Sequence, residues 1–600
     1  MRPFLLFLGC LGFMAVPRLA GPDVSVIGIP SATQHFTTHA KLFATTCTAL
    51  RKALEDLAPT TPRDALAATT PRGTYPATPH APKAQLLATA RQRLIECRCQ
   101  YKQIESFLEY FFRSSSTIYN RPPKYETEEP GMEYQTPVGL QVIESLLYDT
   151  RIDHKTLLEQ AKAVESSATD LPALLYDFTA NDRQLLESLR LELIRIIALD
   201  ITGYEAPLLR SGIKEAYTAL VSFSDQLQPY LQIKTPHTDS LLFYLDQAMA
   251  MVRNSNNFDR FDRLSFLKKA ALPLQRQFGL LIREKGLEAN TGKALNYAAD
   301  DIFSPDALIP PGQDAPRLRA LGRQLFSDPS LSTNNKESCA SCHNPAKAFT
   351  DGRVKSLAFD GHHQLDRNAP TLLYSGFQYS QFWDGRVHTL EDQVRTVLHD
   401  QREMHADTTT LARHGGAEQV VTALAAYVRS LHPMNSPFDR YLHGPDNILT
   451  EKAKKGANLF MGKAQCATCH FIPLFNGLIP PYYALTEFEV LGTTTSDNFA
   501  VPRLSSDAGR YTLYPFPFYK GAFKTPTVRN SANTAPYMHN GAFHSLATLL
   551  DFYNKGGGAG LGLPVPNQTL SPIPLHLSKD EMNNIIIFIH ALTDSLNINP

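Results

Sequence analysis

The sequence has no surplus of either charge. Its 58 Lys and Arg match its 58 Asp and Glu across 600 residues. No basic field is available to gather nucleic acid or an anionic membrane. It has no Lys/Arg-rich run, no Walker loop and no G-x-G-x-x-G ahead of a helix, so the common nucleotide-binding signatures are missing. Beyond the N-terminus, no run is apolar for long enough to span a bilayer. Tryptophan occurs once, at Trp383, and cysteine only 8 times. That scarcity makes the positions of these residues informative.

What is present is ordinary for a soluble protein, 43% apolar and 19% charged. The chain is too long for one core, and about two to four domains are expected. Arg2 precedes a mostly apolar run over 4–16 that ends near "PRLAG". This is too short to span a membrane and reads as a signal peptide over 1–20, which implies export to the periplasm. Arg18 sits where a cleavage site prefers a small residue. Cys10, in "FLGC", offers lipid anchoring as the alternative.

From 35 to 298 the pattern is helical. "FTTHAKLFATTCTALRKAL" and "AQLLATARQRLIECRCQYKQIESFLEYFF" repeat apolar residues at three- and four-residue steps. "DRQLLESLRLELIRIIALDITGY" and "DSLLFYLDQAMAMV" continue the theme, which predicts an antiparallel helical bundle. The Pro/Thr/Ala segment 58–82 is not helical in character and reads as an exposed excursion. Cys47, Cys97 and Cys99 allow a disulfide from Cys47 to either of the others, or simply three small buried residues. Near 300 the chain becomes rich in Pro, Gly and short helices. There "LRALGRQLF" and "EKAKKGANLFMGK" each lead into a loop and a cysteine motif, an internal repeat. At the end, Ser578 and Glu581 form a capping box ahead of an apolar helix.

The two motifs are "CASCH", with Cys339, Cys342 and His343, and "CATCH", with Cys466, Cys469 and His470. A zinc knuckle needs four nearby ligands, and each motif supplies three. A thioredoxin-like pair belongs after a strand in a βαβ unit, and no such pattern occurs. Covalent c-type haem remains: two thioethers hold the porphyrin, and the following histidine is the proximal iron ligand. Two such motifs predict two haems, on His343 and His470.

Around them run "RNAPTLLY", "QFWDGR", "REM", "FKTPTVRN", "APYMHNGAF" and "LLDFYNKGG", in that order. Over about 300–598 the sequence resembles the bacterial dihaem cytochrome c peroxidase family, including its MauG branch. The resemblance implies two cytochrome c-like domains, 300–445 with the peroxidatic haem and 446–600 with the electron-transfer haem. It implies that Trp383 relays electrons between the haems. Glu403 would then overhang the open face of the first as general acid–base, with Gln393 in the same pocket. Counting forward from His539 places Tyr553 on the far side of the second haem, where many members have methionine and the MauG branch has tyrosine. Met538 is the rival ligand. Asn368 and the carbonyls of Thr534 and Pro536 match a calcium site, and oxygen donors suit that ion. The family's distal-histidine loop reads "AFDGHHQLDRNAP" here, with His362 and His363 spaced differently, so an open first haem is expected.

The bundle is similar to imelysin-like helical domains. Their G-x-H-x-x-E appears as Gly139, Gln141 and Glu144, with Gln in place of His, which weakens a metal role. Arg98, Tyr101 and Glu105 form either one polar face or helix-surface pairs. The expectation is therefore a mainly α protein: a helical bundle followed by two cytochrome c-like domains. Such a protein reduces hydrogen peroxide with electrons from a small cytochrome or cupredoxin. One alternative is a MauG-like oxidase acting on a protein or organic substrate. The other is a non-catalytic electron-transfer or haem/iron-binding protein. A homodimer is in keeping with the family.

Overall fold

The computed structural model describes residues 25–58, 81–128, 133–232, 234–255, 257–289, 295–310, 312 and 315–596. The signal-peptide and Cys10 readings, and almost all of the 58–82 excursion, lie outside the described residues. Among those described, no helix is long and apolar enough to cross a membrane.

The protein is mainly α-helical. The N-terminal half contains α1 (Ile29–Leu57), α2 (Ala81–Lys102), α3 (Glu105–Phe111), α4 (Leu140–Tyr148), α5 (His154–Asp170), α6 (Asp182–Arg195), α7 (Gly212–Leu227), α8 (Pro236–Arg253) and α9 (Leu272–Glu284). Helix α1 forms because Phe36, Ala40, Phe43, Cys47, Leu50, Leu54 and Leu57 fall on one stripe, and all are buried. It packs against α2 and α5, while α8 packs against α7 and α9. The long pattern through residue 112 breaks at Gln103 and Ile104 into α2 and α3. The one from 182 ends in a π-helical turn, Ile196–Asp200. A short hairpin, β1 (Glu126–Glu128) with β2 (Glu133–Gln135), was not expected from the helical pattern.

The C-terminal half contains α10 (Pro316–Phe326), α11 (Leu390–His399), α12 (Ala417–Arg429), α13 (Glu451–Met461), α14 (Leu546–Asn554) and α15 (Lys579–Ala591). It also has a second two-stranded pair, β3 (Phe488–Val490) with β4 (Ala522–Lys524). The internal repeat is structural. Helix α10 crosses α12, and α13 crosses α15. Each crossing rests on a glycine in a shared Gly-x-x-Leu-Phe run. A Cβ on Gly322 would lie 1.8 Å from the carbonyl oxygen of Ala423, and one on Gly456 would lie 1.9 Å from that of Asn584. No side chain fits either gap. The Ser578–Glu581 capping box is formed, with Ser578 Oγ accepting from the Glu581 amide.

Buried apolar residues of both halves belong to one connected cluster. Arg98 and Glu105 are buried at about 1% exposure, so they are not helix-surface pairs. Arg98 makes a two-pronged contact with Glu215, at 3.0 and 2.9 Å. Tyr101 donates to Glu109 at 2.7 Å, and Glu105 takes a hydrogen bond from Lys102. Cys47 and Cys97 bring their sulfurs to 3.3 Å, both as free thiols.

Candidate active site

The two cysteine motifs are short helical turns that eject a histidine. Ser338 caps the turn Cys339–Cys342, and Ser341 returns the contact. His343 then leaves the helix and donates from Nδ1 to the carbonyl oxygen of Phe349, 3.1 Å away. That carbonyl is presented by a tight turn in which Ala348 and Phe349 both have positive φ. In the second motif, His470 donates from Nδ1 to the carbonyl oxygen of Pro526 at 3.0 Å. A backbone carbonyl on Nδ1 fixes the tautomer and leaves Nε2 with its lone pair, as an iron ligand requires. Burial holds both imidazoles below their ordinary range, His470 at about 4, so each stays neutral.

None of the four motif cysteines is paired in a disulfide. Burial pushes Cys342 up to about 11 and Cys339 and Cys466 up to about 12. Cys342, His343, Cys466, Cys469 and His470 line one cavity of about 3840 Å³. Uncharged thiols paired with a tautomer-locked histidine at two places in one large cavity fit two thioether-bound haems.

Glu403 follows α11 in a turn and lines the same cavity, as does Gln393 of α11. Its carboxyl is pushed up to about 7, chiefly by burial and then by Asp400, against the pull of Arg386 and Arg402. The Glu403 charge acts on both Cys339 and Cys342, which puts it near the first attachment turn. His362 and His363 are elsewhere, on an exposed loop, where His363 pairs with Asp360.

Several of the runs singled out in the sequence are tied together. Trp383 donates from Nε1 to the carbonyl oxygen of Asn368 at 2.9 Å. The Asn368 amide in turn donates to the carbonyl of His539 at 2.7 Å. Arg367 binds Asp384 at 2.6 Å and Asp507 at 2.7 and 2.9 Å. Asn368, Thr534 and Pro536 line the cavity together. The Asn368 side-chain nitrogen donates to Arg353, which leaves its amide oxygen as an acceptor. Among the described residues, no group of three or more His, Cys, Asp or Glu is arranged to hold a metal. A site of amide and carbonyl oxygens is of a different kind.

Tyr553, on α14, lines the cavity at the second motif. Its phenol is pushed up by burial and by the neighbouring Cys469, Cys466 and Glu489. Met538 lines the same cavity with φ at 70°.

Sequence reasoning missed two features. Lys524 is a buried lysine beside the tryptophan. Its backbone amide donates to the Trp383 carbonyl at 2.8 Å, its ammonium pairs with the Gln378 side chain, and burial pushes it down to about 7. A lone lysine in a short polar run gives no sign of such burial. The other feature is that the bundle walls the cavity. Lys124 binds Glu487 and Glu489, Tyr204 packs edge-on against Phe471, and Pro207 accepts from Gln465. Gln141 and Glu144 also line the cavity, yet their motif alone says nothing of where they would lie.

Residues 316–415 match the family model for di-haem cytochrome c peroxidase. The chain is 33% identical over 313 residues to cytochrome-c peroxidase IdrP2 of Denitromonas iodatirespirans, covering 46% of this chain and 82% of that protein. It is 32% identical to methylamine utilization protein MauG of Methylorubrum extorquens, covering 46% and 78% respectively. A solved MauG-like protein associated with microbial copper homeostasis aligns with 30% identity and a TM-score of 0.42, over 48% of this chain and 93% of that one. The chain therefore belongs to the di-haem cytochrome c peroxidase and MauG family, an oxidoreductase family whose membership implies two c-type haems.

Proposed function

We propose that the chain reduces hydrogen peroxide to water at a haem held by Cys339, Cys342 and His343. Electrons enter from an external donor by way of a second haem on Cys466, Cys469 and His470. The balance is one peroxide, two electrons and two protons to two waters. When bound, the first haem supplies the iron centre at which peroxide is reduced.

The observation that carries the reading is Glu403, a carboxyl enclosed beside the first attachment turn and pushed up to about 7. A group that titrates near neutrality can take a proton from one peroxide oxygen and return it to the departing one. Gln393 offers an amide to orient the peroxide. Phe349 holds His343 in the tautomer that presents Nε2. In this reading Trp383, held by its bonds to Asn368 and Lys524, relays the electrons between the two haems. Calcium on Asn368, Thr534 and Pro536 would brace the loops that seat this indole.

The donor in this reading is a small cytochrome or cupredoxin. The protein works outside the cytoplasm, which the basic residue and apolar run at the N-terminus support. Cell fractionation tests that placement, and sedimentation tests whether a homodimer forms.

Tyr553 favours a second reading, a MauG-like oxidase that draws electrons from a protein or organic substrate. An anionic oxygen ligand at the second haem would lower its potential and make it a poor acceptor from a soluble donor. Two measurements decide. A ferric spectrum with one high-spin haem is expected of an open site; two six-coordinate haems inert to peroxide would leave only electron transfer. Mixing with peroxide then separates the two enzymes. Both haems becoming oxidised together marks the oxidase, and turnover with a reduced cytochrome or cupredoxin marks the peroxidase.

A further inference from the structure

One loop of the bundle, 204–209, touches the second motif and is fastened from behind by buried charge. Glu205 takes hydrogen bonds from Lys102 at 2.6 Å and Arg98 at 3.5 Å. Lys102 also binds Asp200, at the end of the π-helical turn, at 2.7 Å. Glu144, 1% exposed, accepts with a single carboxylate oxygen from the amides of Leu208 and Leu209, at 2.7 and 2.8 Å. The loop thus has an acidic anchor at Glu205 and a carboxylate clamp across its far end.

The front of this loop touches the second attachment segment on both sides. The Pro207 carbonyl accepts from the side chain of Gln465, the residue before Cys466, at 2.9 Å. The Tyr204 ring meets that of Phe471, the residue after His470, edge-on with centroids 5.1 Å apart. The segment 465–471 carries both cysteines and the histidine, and the bundle loop brackets it. Gln465 is held in a left-handed conformation, φ 54°, so the neighbouring backbone is sensitive to losing this partner.

We propose that Glu144 is a positioning residue for the second haem, acting through the 204–209 loop on the segment 465–471. The proposal rests on the reading of Cys466, Cys469 and His470 as that haem's attachment. It gives the Gly139–Gln141–Glu144 motif a role in this chain that needs no metal: the glutamate clamps backbone amides. Contacts that hold the segment carrying a metal's ligands set ligand orientation and the electronic properties of the metal centre.

The test uses the full-length holoprotein with Glu144→Ala, Glu144→Gln and Gln465→Ala. Three quantities are read: haem per chain, the ferric low-spin and high-spin signals, and the midpoint potential of each haem. Glu144→Ala is expected to keep two haems, to shift the low-spin signal and potential of the second, and to leave the high-spin signal of the first in place. Glu144→Gln retains an accepting oxygen and should restore the unsubstituted values. Gln465→Ala should reproduce the shift, and combining it with Glu144→Ala should add little. If Glu144→Ala does not fold, Gln465→Ala decides alone. A second haem unmoved in either alanine variant overturns the proposal. Fewer than two haems in the unsubstituted protein would overturn the haem reading itself, and this proposal with it.

Discussion

The indole of Trp383 donates its one hydrogen bond to the backbone carbonyl of Asn368, 2.9 Å away. The candidate electron relay and the candidate calcium ligand are therefore mechanically one unit. The Asn368 amide extends it to His539, whose buried ring stacks on Phe523 at 3.7 Å.

Trp383→Phe keeps an aromatic filler but removes the donor and the more easily oxidised ring. Both haems should still attach. Electron transfer from the second to the first should slow, as read by stopped-flow after selective reduction of the second. Unchanged transfer would remove Trp383 from the path.

Calcium removal by a chelator is expected to lower turnover and shift the haem spectra, and added calcium should reverse both. Asn368→Ala should raise the calcium concentration needed for recovery. Turnover indifferent to chelation would argue against an ion at Asn368, Thr534 and Pro536.

Glu403→Gln should lower peroxide turnover by about 10²–10⁴-fold, the usual span for losing a positioned acid–base group. The pH profile supplies the sign. The carboxylate form grows as pH rises through about 7, so turnover in the unsubstituted protein should climb there. The variant should lack that limb. Stability moves the other way. Glu403 binds its proton more tightly folded than unfolded, so its contribution is full below the ordinary carboxylate range and is lost as pH rises through about 7. Denaturant titrations of the two proteins across this window should diverge accordingly.

Tyr553→Phe removes the phenol oxygen while keeping the ring. The low-spin signal of the second haem should change and its potential rise. If neither moves, Tyr553 is not a ligand, and Met538 becomes the residue to replace.

Arg529 is fully buried and grips Asp439 with two bonds of 2.8 Å. Arg529→Ala strands a buried carboxylate and should cost about 3–5 kcal/mol in denaturant unfolding. The arginine holds Asp439 below its ordinary value. The stability it lends is present above the unfolded pKa and is lost as pH falls through the folded one, so the unsubstituted protein should weaken sharply in acid.

Much of the site was legible because it is local. Each attachment motif lies within one turn, and the Ser578–Glu581 cap and the α1 stripe depend on residues three or four apart. The Glu403 and Tyr553 assignments came from resemblance, and no spacing rule would have produced them. The break in the helix at Gln103 and Ile104 was not visible, because the apolar repeat runs on through it. The pairing of α10 with α12 and of α13 with α15 was half visible. The shared Gly-x-x-Leu-Phe could be seen, but not the carbonyls of Ala423 and Asn584 that make those glycines necessary.

By itself the sequence determined the covalent chemistry: where thiols and imidazoles recur at haem-attachment spacing, and which half of the chain is helical bundle. These follow from bonds and side chains a few residues apart. Only the tertiary structure decided that Lys524 is buried, that Glu403 titrates near neutrality, and that Pro207 and Tyr204 hold the segment after Ala464. Burial and long-range contact are properties of the packed chain. A residue's charge cost and its partners are set by neighbours hundreds of positions away, which no local pattern records.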